Sequence, residues 1–360
     1  MDYIKEAFDT NWVAPLGPNV DAFEEEIKGY TGGQYALATD TGTAAIHMAL
    51  RDLGAGRGDV VFCSSFTFAA SCNPIVYQGA APVFIDSEPE TWNMSPEALN
   101  RAFKKYTPKA VVAVHLYGTP ANMDKIMEIC DTHGVPVIED AAESLGSLYK
   151  GRQTGTIGKF GIYSFNGNKI ITTSGGGMLI CPDEESRKRI LKRITQSREP
   201  ARHYEHTELG YNYRMSNISA GIGRGQLEVI GQRIEKKKRI YNTYKKGLSD
   251  IGALSLNPIP DCSDANCWLS CLLTDKNSPV KPIHMIEALE RENIESRPVW
   301  KPMNLQPYYS DRDFFSHDPD GSPVCSDIFA RGLCLPSDVK MTEEDINYII
   351  NVIRGLFGVS

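Results

Sequence analysis

Lys169 is the residue of this sequence with the clearest potential for chemistry. It lies in the stretch GIYSFNGNKIITTSGGGM, residues 161–178, which contains no acid that could pair with it. Its neighbours are hydroxyl and amide side chains and three consecutive glycines. Hydroxyls, amides and bare backbone suit a phosphate or an aldehyde, although a solvated loop lysine would show the same local pattern. The rest of the chain has to distinguish these two interpretations.

Three further features could complete a site around Lys169. The run Thr41–Gly42–Thr43 follows the apolar stretch YALATD and leads into a helical pattern, so its backbone N–H groups and hydroxyls could bind a phosphate. Phe68 follows the next apolar stretch and could stack on a flat ring. Asp140 ends the apolar stretch VPVIED, where a carboxylate must be paired or meet a ligand. Each feature also has a purely structural interpretation. These are helix capping by Thr41 or Thr43, core packing of Phe68, and pairing of Asp140 with an arginine.

Taken together, these groups predict a site for pyridoxal 5'-phosphate (PLP). A PLP enzyme needs a lysine that holds the aldehyde as a Schiff base and an acid that keeps the pyridinium nitrogen protonated. Lys169 and Asp140 would take these two roles, while the helix start and Ser164 would hold the phosphate. After its release Lys169 could carry a proton between the amino donor and the cofactor.

The elements predicted around these residues are those of an α/β protein. Five short apolar stretches in the first half of the chain are predicted strands, at 35–40, 59–64, 81–86, 110–118 and 135–142. Helical patterns separate them, and strands this apolar indicate a mainly parallel sheet covered on both faces. Ligands bind at the carboxyl ends of such strands, where Thr41, Phe68 and Asp140 are placed.

The second half of the chain has a different pattern, which predicts a smaller α+β unit. A long helical pattern covers residues 216–248, and further helices are predicted near 281–292 and 342–356. The stretch NCWLSCLLT is a predicted strand between them. We therefore predict a large PLP-binding α/β domain over residues 1–240 and a small C-terminal α+β domain over residues 241–360.

Composition and charge narrow the functional classes. The 360 residues are 41% apolar and 23% charged, as in a soluble globular protein. A net charge of -7 argues against a general binder of nucleic acid or of anionic membranes. The N-terminal stretch lacks the apolar core of a signal peptide, and no apolar stretch is long enough to span a bilayer. We therefore expect a cytoplasmic protein.

Cysteine and glycine patterns exclude further classes. The nine scattered cysteines indicate free thiols in a reducing compartment. The tightest cluster, Cys262, Cys267 and Cys271, lacks the paired spacing of a zinc site, so no metal is expected. The glycine-rich stretches at 54–59 and 221–226 lack the strand–glycine–helix order of a dinucleotide site, which argues against a nicotinamide-dependent oxidoreductase.

The sequence resembles the DegT/DnrJ/EryC1/StrS family of sugar-nucleotide aminotransferases. The resemblance is carried, in order, by ATDTGTAAIHMAL, SSFTFAAS, VIEDAAESLGS, SFNGNK followed by GGGM, and LGYNYRMSNISAGIGRGQLE. It implies the aspartate-aminotransferase fold, PLP-dependent transferase fold type I. It also implies the cofactor contacts inferred above, at Lys169, Asp140, Phe68, Gly42, Thr43 and Ser164.

The resemblance has implications for partners and substrates as well. Asn212 falls on an asparagine that reaches the phosphate of the neighbouring subunit, which implies a homodimer with shared active sites. The segment ESRPVWKPMNLQPYY most resembles enzymes that aminate a UDP-4-keto-6-deoxy-N-acetylhexosamine for cell-surface glycans, with L-glutamate as the expected donor. Arg214, Arg297 and Lys301 are our candidates for the substrate's diphosphate, although each could be an ordinary surface charge.

Two positions depart from the family pattern. Glu143 stands where many relatives have a glutamine that hydrogen-bonds the phenolic oxygen of PLP. A carboxylate there would repel a phenolate unless it is protonated or turned away. Asn304 stands where relatives often have a histidine, so the contacts to the sugar are left open.

Two alternative functions remain at this point. One is another fold-type-I PLP enzyme, such as a cysteine desulfurase, which would need a reactive cysteine in a mobile loop. Cys325 and Cys334 are the candidates for that cysteine. The other is a PLP-binding regulator without turnover, although the sequence shows no DNA-binding extension.

Overall fold

The protein is described by a computed structural model over residues 1–359. The helices of this part of the chain are α1 (Asp2–Asp9), α2 (Pro18–Thr31), α3 (Gly42–Asp52), α4 (Asn73–Tyr77), α5 (Pro96–Phe103), α6 (Met123–Thr132), α7 (Glu184–Ile194), α8 (Asn217–Leu227), α9 (Ile230–Gly247), α10 (Pro282–Arg291), α11 (Val324–Arg331) and α12 (Glu343–Leu356). Four short 3₁₀ turns lie at 69–71, 116–118, 303–305 and 307–309.

The strands begin with β1 (Tyr35–Thr39), β2 (Val60–Ser64), β3 (Ala81–Ile85), β4 (Ala110–Val114), β5 (Val137–Asp140), β6 (Leu148–Tyr149), β7 (Arg152–Gln153) and β8 (Phe160–Ser164). They continue with β9 (Gly177–Cys181), β10 (Leu254–Leu256), β11 (Ser263–Asp264), β12 (Ser270–Thr274), β13 (Arg297–Pro298), β14 (Phe314–Phe315) and β15 (Gly332–Leu335).

An eight-stranded sheet of order β1-β9-β8-β5-β4-β2-β3-β14 forms the centre of the molecule. All neighbours from β8 to β14 pair in parallel, whereas β9 is antiparallel to both β8 and β1. This confirms the predicted mainly parallel sheet. Because two antiparallel steps restore the direction, β1 ends at the same edge as the parallel strands. The segments after β1, β2 and β5 therefore meet there, as the sequence predicted.

Strand β4 shows why both faces of this sheet are covered. Its residues alternate: Ala110 and Val112 pack in the cluster that contains Ile46 of α3, on one face. Val111 and Ala113 pack in the cluster on the other face, with residues of α5 and α6. Both sets are fully buried, which is the arrangement that the continuous apolar sequence AVVAV requires.

A second, antiparallel sheet of order β10-β12-β15-β13 lies in the later part of the chain, and α9, α10 and α12 pack on it. The predicted helix over 216–248 is in fact two helices, α8 and α9, separated at residues 228–229. The predicted strand 110–118 ends earlier, at Val114, because a 3₁₀ turn follows in which Tyr117 has a positive φ of 54°.

The predicted domain boundary at residue 240 lies within a continuous helix. That position lies inside α9, and two later segments return to the first half of the chain. Strand β14 extends the large sheet by pairing with β3, and β11 pairs with β6. The division into domains at 240 and 241 thus stays a prediction.

Residues 1–359 contain no helix that is both long and apolar enough to cross a membrane. The nine cysteines are free thiols, of which only Cys262 is exposed. In the same described range, no three histidine, cysteine or acidic side chains are grouped in a way that could hold a metal ion.

Candidate active site

A deep cleft of about 1240 Å³ opens at the carboxyl edge of the large sheet. The wall opposite the sheet is formed by α9, β13, β15 and the segment before β12. The predicted site residues that line it are Thr41, Gly42, Thr43, Phe68, Asp140, Glu143, Ser164, Lys169 and Arg297. The fold thus brings the strand-end residues and the lysine loop into one cavity.

The start of α3 has the properties of a phosphate site. The helix begins at Gly42, one residue before the prediction, and Thr41 is its N-cap: the Thr41 hydroxyl accepts a hydrogen bond from the Ala44 N–H at 3.0 Å. Within the described residues, the N–H groups of Gly42 and Thr43 meet no acceptor. A Cβ at Gly42 would lie 3.2 Å from the Cβ of Ser164, so only glycine fits here without movement. Two free N–H groups beside a serine can bind an anion.

Asp140 ends β5 and is 5% exposed. Its hydrogen-bond partners are the Ser71 hydroxyl, which donates to Oδ2 at 2.6 Å, and the Ala142 N–H, which donates to Oδ1 at 3.2 Å. Neither partner is the arginine of the structural alternative. Two neutral donors orient the carboxylate without neutralising it, so it can pair with a cationic ring nitrogen in the cleft. Sequence reasoning missed Ser71, because several hydroxyl residues in SSFTFAAS were equivalent candidates.

The side chain of Lys169 is largely buried, which argues against a solvated loop lysine. Its side chain is 10% exposed, and its Nζ lies 3.8 Å from Oε1 of Glu143 and 4.2 Å from the ring centroid of Trp268. Burial lowers the pKa of Lys169 below its ordinary value, while the carboxylates of Glu143 and Asp140 act in the opposite direction. A lysine with a lowered pKa has more neutral amine at a given pH, and the neutral amine attacks aldehydes.

Glu143 divides its two carboxyl oxygens between different partners. Oε2 accepts a hydrogen bond from the Tyr117 N–H at 2.6 Å, whereas Oε1 faces Lys169. Burial raises the pKa of Glu143 to about 7, although Lys169 and the Tyr117 N–H lower it in part. One of the two oxygens is thus turned away, and a substantial fraction of the carboxyl groups is protonated near neutral pH. Both features reduce the expected repulsion between Glu143 and the phenolic oxygen of PLP.

The raised pKa of Glu143 predicts a pH-dependent stability. Between its ordinary pKa of 4.5 and about 7, the folded state keeps a proton that the unfolded state releases. The free energy of unfolding of the cofactor-free protein should therefore fall as the pH rises through this window, and a Glu143→Gln variant should lack this contribution. Denaturant titrations of both proteins from pH 4.5 to 7.5 measure the difference. Parallel pH profiles would contradict the buried, proton-holding carboxyl.

Three predicted site residues lie outside this cleft. Arg214 is a correction: its guanidinium is bonded to Glu24 and to the carbonyl oxygen of Ala38 at 3.1 Å, so it ties α2 to β1. Lys301 is exposed and does not line the cavity, so its assignment to the substrate stays a prediction. Asn212 is exposed and paired in an isolated bridge with Thr195, so its contribution to a second subunit stays a prediction.

The wall opposite the sheet was not predicted. Trp268 and Trp300 line the cleft there, and the ring of Trp300 lies 5.5 Å from that of Phe68 at its mouth. Arg233 and Lys237, one turn apart on α9, line the same wall. The spacing in RIEKKKRI places these two on one helix face, but nothing in the sequence places that face on the cleft.

Asn304 and the two candidate cysteines differ in their relation to the cleft. Asn304 Oδ1 accepts a hydrogen bond from the Ser65 hydroxyl at 2.7 Å and does not line the cleft. Cys325 is fully buried in α11, where burial raises its pKa well above the ordinary value. Cys334 borders the cleft but belongs to β15. Neither cysteine is on a mobile loop, as a desulfurase would need.

Comparisons with known proteins agree with this geometry. The sequence model of the DegT/DnrJ/EryC1/StrS aminotransferase family matches residues 1–354. EpsN of Bacillus subtilis, which bears the provisional name of a pyridoxal phosphate-dependent aminotransferase, is 52% identical over 99% of this chain and 92% of its own. A GDP-perosamine synthase of Escherichia coli O157:H7 is 36% identical over 99% of this chain and 95% of its own.

Solved structures give the same result for the fold. A DegT DnrJ EryC1 StrS aminotransferase from Brucella abortus superposes with a TM-score of 0.91 at 29% identity, over 99% of this chain and 95% of that one. DesV of S. venezuelae superposes with a TM-score of 0.88 at 27% identity, over 99% and 93% of the two chains.

Proposed function

Because the chain belongs to the DegT/DnrJ/EryC1/StrS aminotransferase family, and is a PLP-dependent sugar aminotransferase of fold type I, we propose that it transfers the amino group of L-glutamate to a keto sugar carried by a nucleotide. One observation supports this most directly: buried Lys169 shares a cleft with Asp140 and with the free start of α3. The size of that cleft leaves room for a second, large ligand beside the cofactor.

The residues of the cleft fit PLP. When bound, this cofactor supplies an aldehyde that takes up the amino group and a ring that accepts electrons. The N–H groups of Gly42 and Thr43 would hold its phosphate together with Ser164, because both N–H groups are unpaired and Gly42 lies against Ser164. Phe68 would cover the ring, and Asp140 would keep the ring nitrogen protonated.

Lys169 would have two tasks. Its lowered pKa and largely buried side chain suit it to bond the aldehyde of the cofactor. Once displaced by the amino donor, the free amine is held within the cleft and can remove the proton from the Cα of that donor. The second half of the reaction, with the sugar, uses the same lysine to return a proton.

The acceptor must be a ketone, since only a carbonyl carbon can receive the amino group. A volume of about 1240 Å³ exceeds the range of roughly 300–1,000 Å³ typical of sites for one small ligand. We propose a UDP-4-keto-6-deoxy-N-acetylhexosamine, destined for a cell-surface glycan, on the resemblance of residues 295–309. The similarity to GDP-perosamine synthases favours a second candidate, a GDP-linked keto sugar.

Product mass distinguishes these candidates. The purified protein would be incubated with L-glutamate and, in separate reactions, UDP-, GDP- and dTDP-linked 4-keto sugars. We expect the mass of the UDP-linked acetamido sugar to change by the difference between a ketone and an amine. 2-Oxoglutarate should accumulate in an equal amount. Amination of the GDP-linked sugar alone would replace the UDP proposal, and failure with every keto sugar nucleotide would refute the substrate class.

Arg233 and Arg297 are our revised candidates for the diphosphate. Arg297 is at the rim, where it pairs with Glu295 at 2.7 Å, and Arg233 has a buried Nε without a hydrogen-bond partner in the described residues. A buried donor that lacks a partner costs free energy unless a ligand supplies the acceptor.

Replacement of either arginine by alanine should raise the KM for the nucleotide sugar by roughly 10-fold, the effect of one lost charged hydrogen bond. The half-reaction with glutamate should change little, since the loss affects the binding of one substrate only. Lys236→Ala, an exposed lysine on the same helix, serves as the matched control. Equal losses in both half-reactions would move the arginines to the donor carboxylate or to the fold.

The proposed dimer with shared sites predicts complementation. Lys169→Ala and Asn212→Asp chains should each be inactive, but a mixed dimer contains one site with both native residues. Mixing equal amounts should therefore restore about a quarter of the wild-type activity, since half of the dimers are mixed and each has one intact site. Absence of recovery after subunit exchange has been verified would show that Asn212 does not serve the partner's site.

The alternative functions are less well supported. The cysteine desulfurase would need a mobile reactive cysteine, which neither buried Cys325 nor strand residue Cys334 provides. The relatives described above have the names of enzymes, which gives no support to a regulator without turnover. We also propose a cytoplasmic location, because nine free thiols suit a reducing compartment.

A further inference from the structure

The amine of Lys169 occupies a defined position between two groups of different chemistry. Nζ lies over the ring of Trp268, 4.2 Å from the ring centroid. On the other side Oε1 of Glu143 lies 3.8 Å away. An ammonium is attracted both by an aromatic face and by a carboxylate.

We propose that Trp268 and Glu143 form a holding site for the Lys169 ammonium, which the lysine occupies when it is protonated and not bonded to the cofactor. The inference rests on the proposed role of Lys169 and on no particular donor or sugar. The proposal assigns a function to Trp268. This residue is 1% exposed and borders the cleft, a position that core packing alone would also explain.

One hydrogen bond holds the indole of Trp268 in this position, and two more hold its backbone. Its Nε1–H donates to the carbonyl oxygen of Asn168 at 2.8 Å, so the same side chain contacts both the backbone before Lys169 and the lysine amine. Its N–H donates to Oδ1 of Asn266 at 2.9 Å, and its carbonyl oxygen accepts from Nζ of Lys237 at 2.9 Å. Lys237 also donates to the carbonyl oxygen of Ser337, which makes it a positioning residue for Trp268.

The contacts of Lys169 position its amine but do not prevent it from moving away. A separation of 3.8 Å is an ion-pair distance and longer than a hydrogen bond, so Lys169 can leave Glu143 without breaking one. The charged groups that act on Lys169 are Glu143 and Asp140, both of which favour the ammonium. Glu143 is fixed in turn by the Tyr117 N–H, so its position does not depend on the lysine.

The test uses full-length protein from which PLP has been removed, so that Lys169 is free. The pKa of its amine is read from the pH dependence of labelling by fluorodinitrobenzene, with mass spectrometry of the Lys169 peptide. Trp268→Leu should lower this pKa by roughly half a unit to one and a half units, the range of a cation–π contact. Trp268→Phe should lower it less, and Glu143→Gln should lower it as well.

Trp300→Leu is the matched control, since Trp300 lines the same wall but has no cation over its ring in the described residues. Its effect on the pKa of Lys169 should be clearly smaller than that of Trp268→Leu. If the leucine variant fails to fold, Trp268→Phe and Lys237→Met replace it, and both should shift the pKa downward. An unchanged pKa of Lys169 in folded Trp268 variants would overturn the proposal, whatever the enzyme's donor and sugar prove to be.

Discussion

Lys169→Ala should lower turnover by roughly 10⁴-fold or more, since it removes both the group that bonds the aldehyde and the proton carrier. The fold should persist, because the contacts of the Lys169 side chain are a ring face and an ion pair at the edge of an open cleft. Borohydride reduction of the wild-type protein with PLP should fix the cofactor on the peptide that contains Lys169. The variant should give no labelled peptide.

Lys150→Ala provides the control for this experiment. Lys150 is exposed and its Nζ pairs with Asp124 on the surface, outside the cleft. Turnover of this variant should stay within about twofold of wild type, as expected for a surface ion pair. Attachment of the label to any lysine other than Lys169 would refute the assignment.

Asp140→Asn should keep PLP bound but reduce turnover by roughly 10²–10³-fold, the range for loss of one preorganised electrostatic partner. The amide is nearly the same size and can still accept the hydrogen bond from Ser71, so the local structure should survive. A neutral amide cannot keep the ring nitrogen protonated, and the ring then accepts electrons poorly. Single-turnover rates with glutamate, together with the cofactor spectrum, measure the effect.

Asp86→Asn is the control that distinguishes the electrostatic role of Asp140 from the loss of stability caused by replacing any buried acid. Asp86 is fully buried outside the cleft, where its carboxylate accepts from the N–H groups of His317, Val324 and Cys325. Its replacement should lower the melting temperature but leave the turnover of the folded molecules unchanged. If Asp140→Asn behaved in the same way, the role of Asp140 would be structural only.

The sheet and the strand-end residues were predictable for one physical reason. A strand such as AVVAV has no polar face, so it must be covered on both sides, and parallel pairing follows. Polar groups are then confined to the strand ends, where Thr41 and Asp140 are placed. Asp140 and Lys169 could be brought together because Asp140 ends an apolar strand and Lys169 has no acid in its own stretch.

The opposite wall could not be predicted in this way. Trp268 stands in an apolar stretch, and its contact with Lys169 depends on how the small sheet is placed against the large one. Arg214 was assigned to the substrate because it follows Asn212, whereas a partner far away in sequence, Glu24, neutralises it. Local patterns identify charged residues, but pairs distant in sequence decide which charges remain available to a ligand.

Strand β14 is synthesised long after β3, its neighbour in the sheet, and this order affects the nascent chain. Strand β3, with the apolar sequence APVFI, has one edge whose last two residues, Phe84 and Ile85, are covered only when residues 314–315 pair with them. At a ribosomal rate of roughly 5–20 residues per second, that edge stays open for about 10–50 seconds after β3 has emerged. During this interval it can pair with other nascent chains, and a fragment truncated at residue 240 would keep the edge open permanently. Production of residues 1–240 alone should therefore favour inclusion bodies, whereas in the full-length chain residues 314–315 pair with this edge.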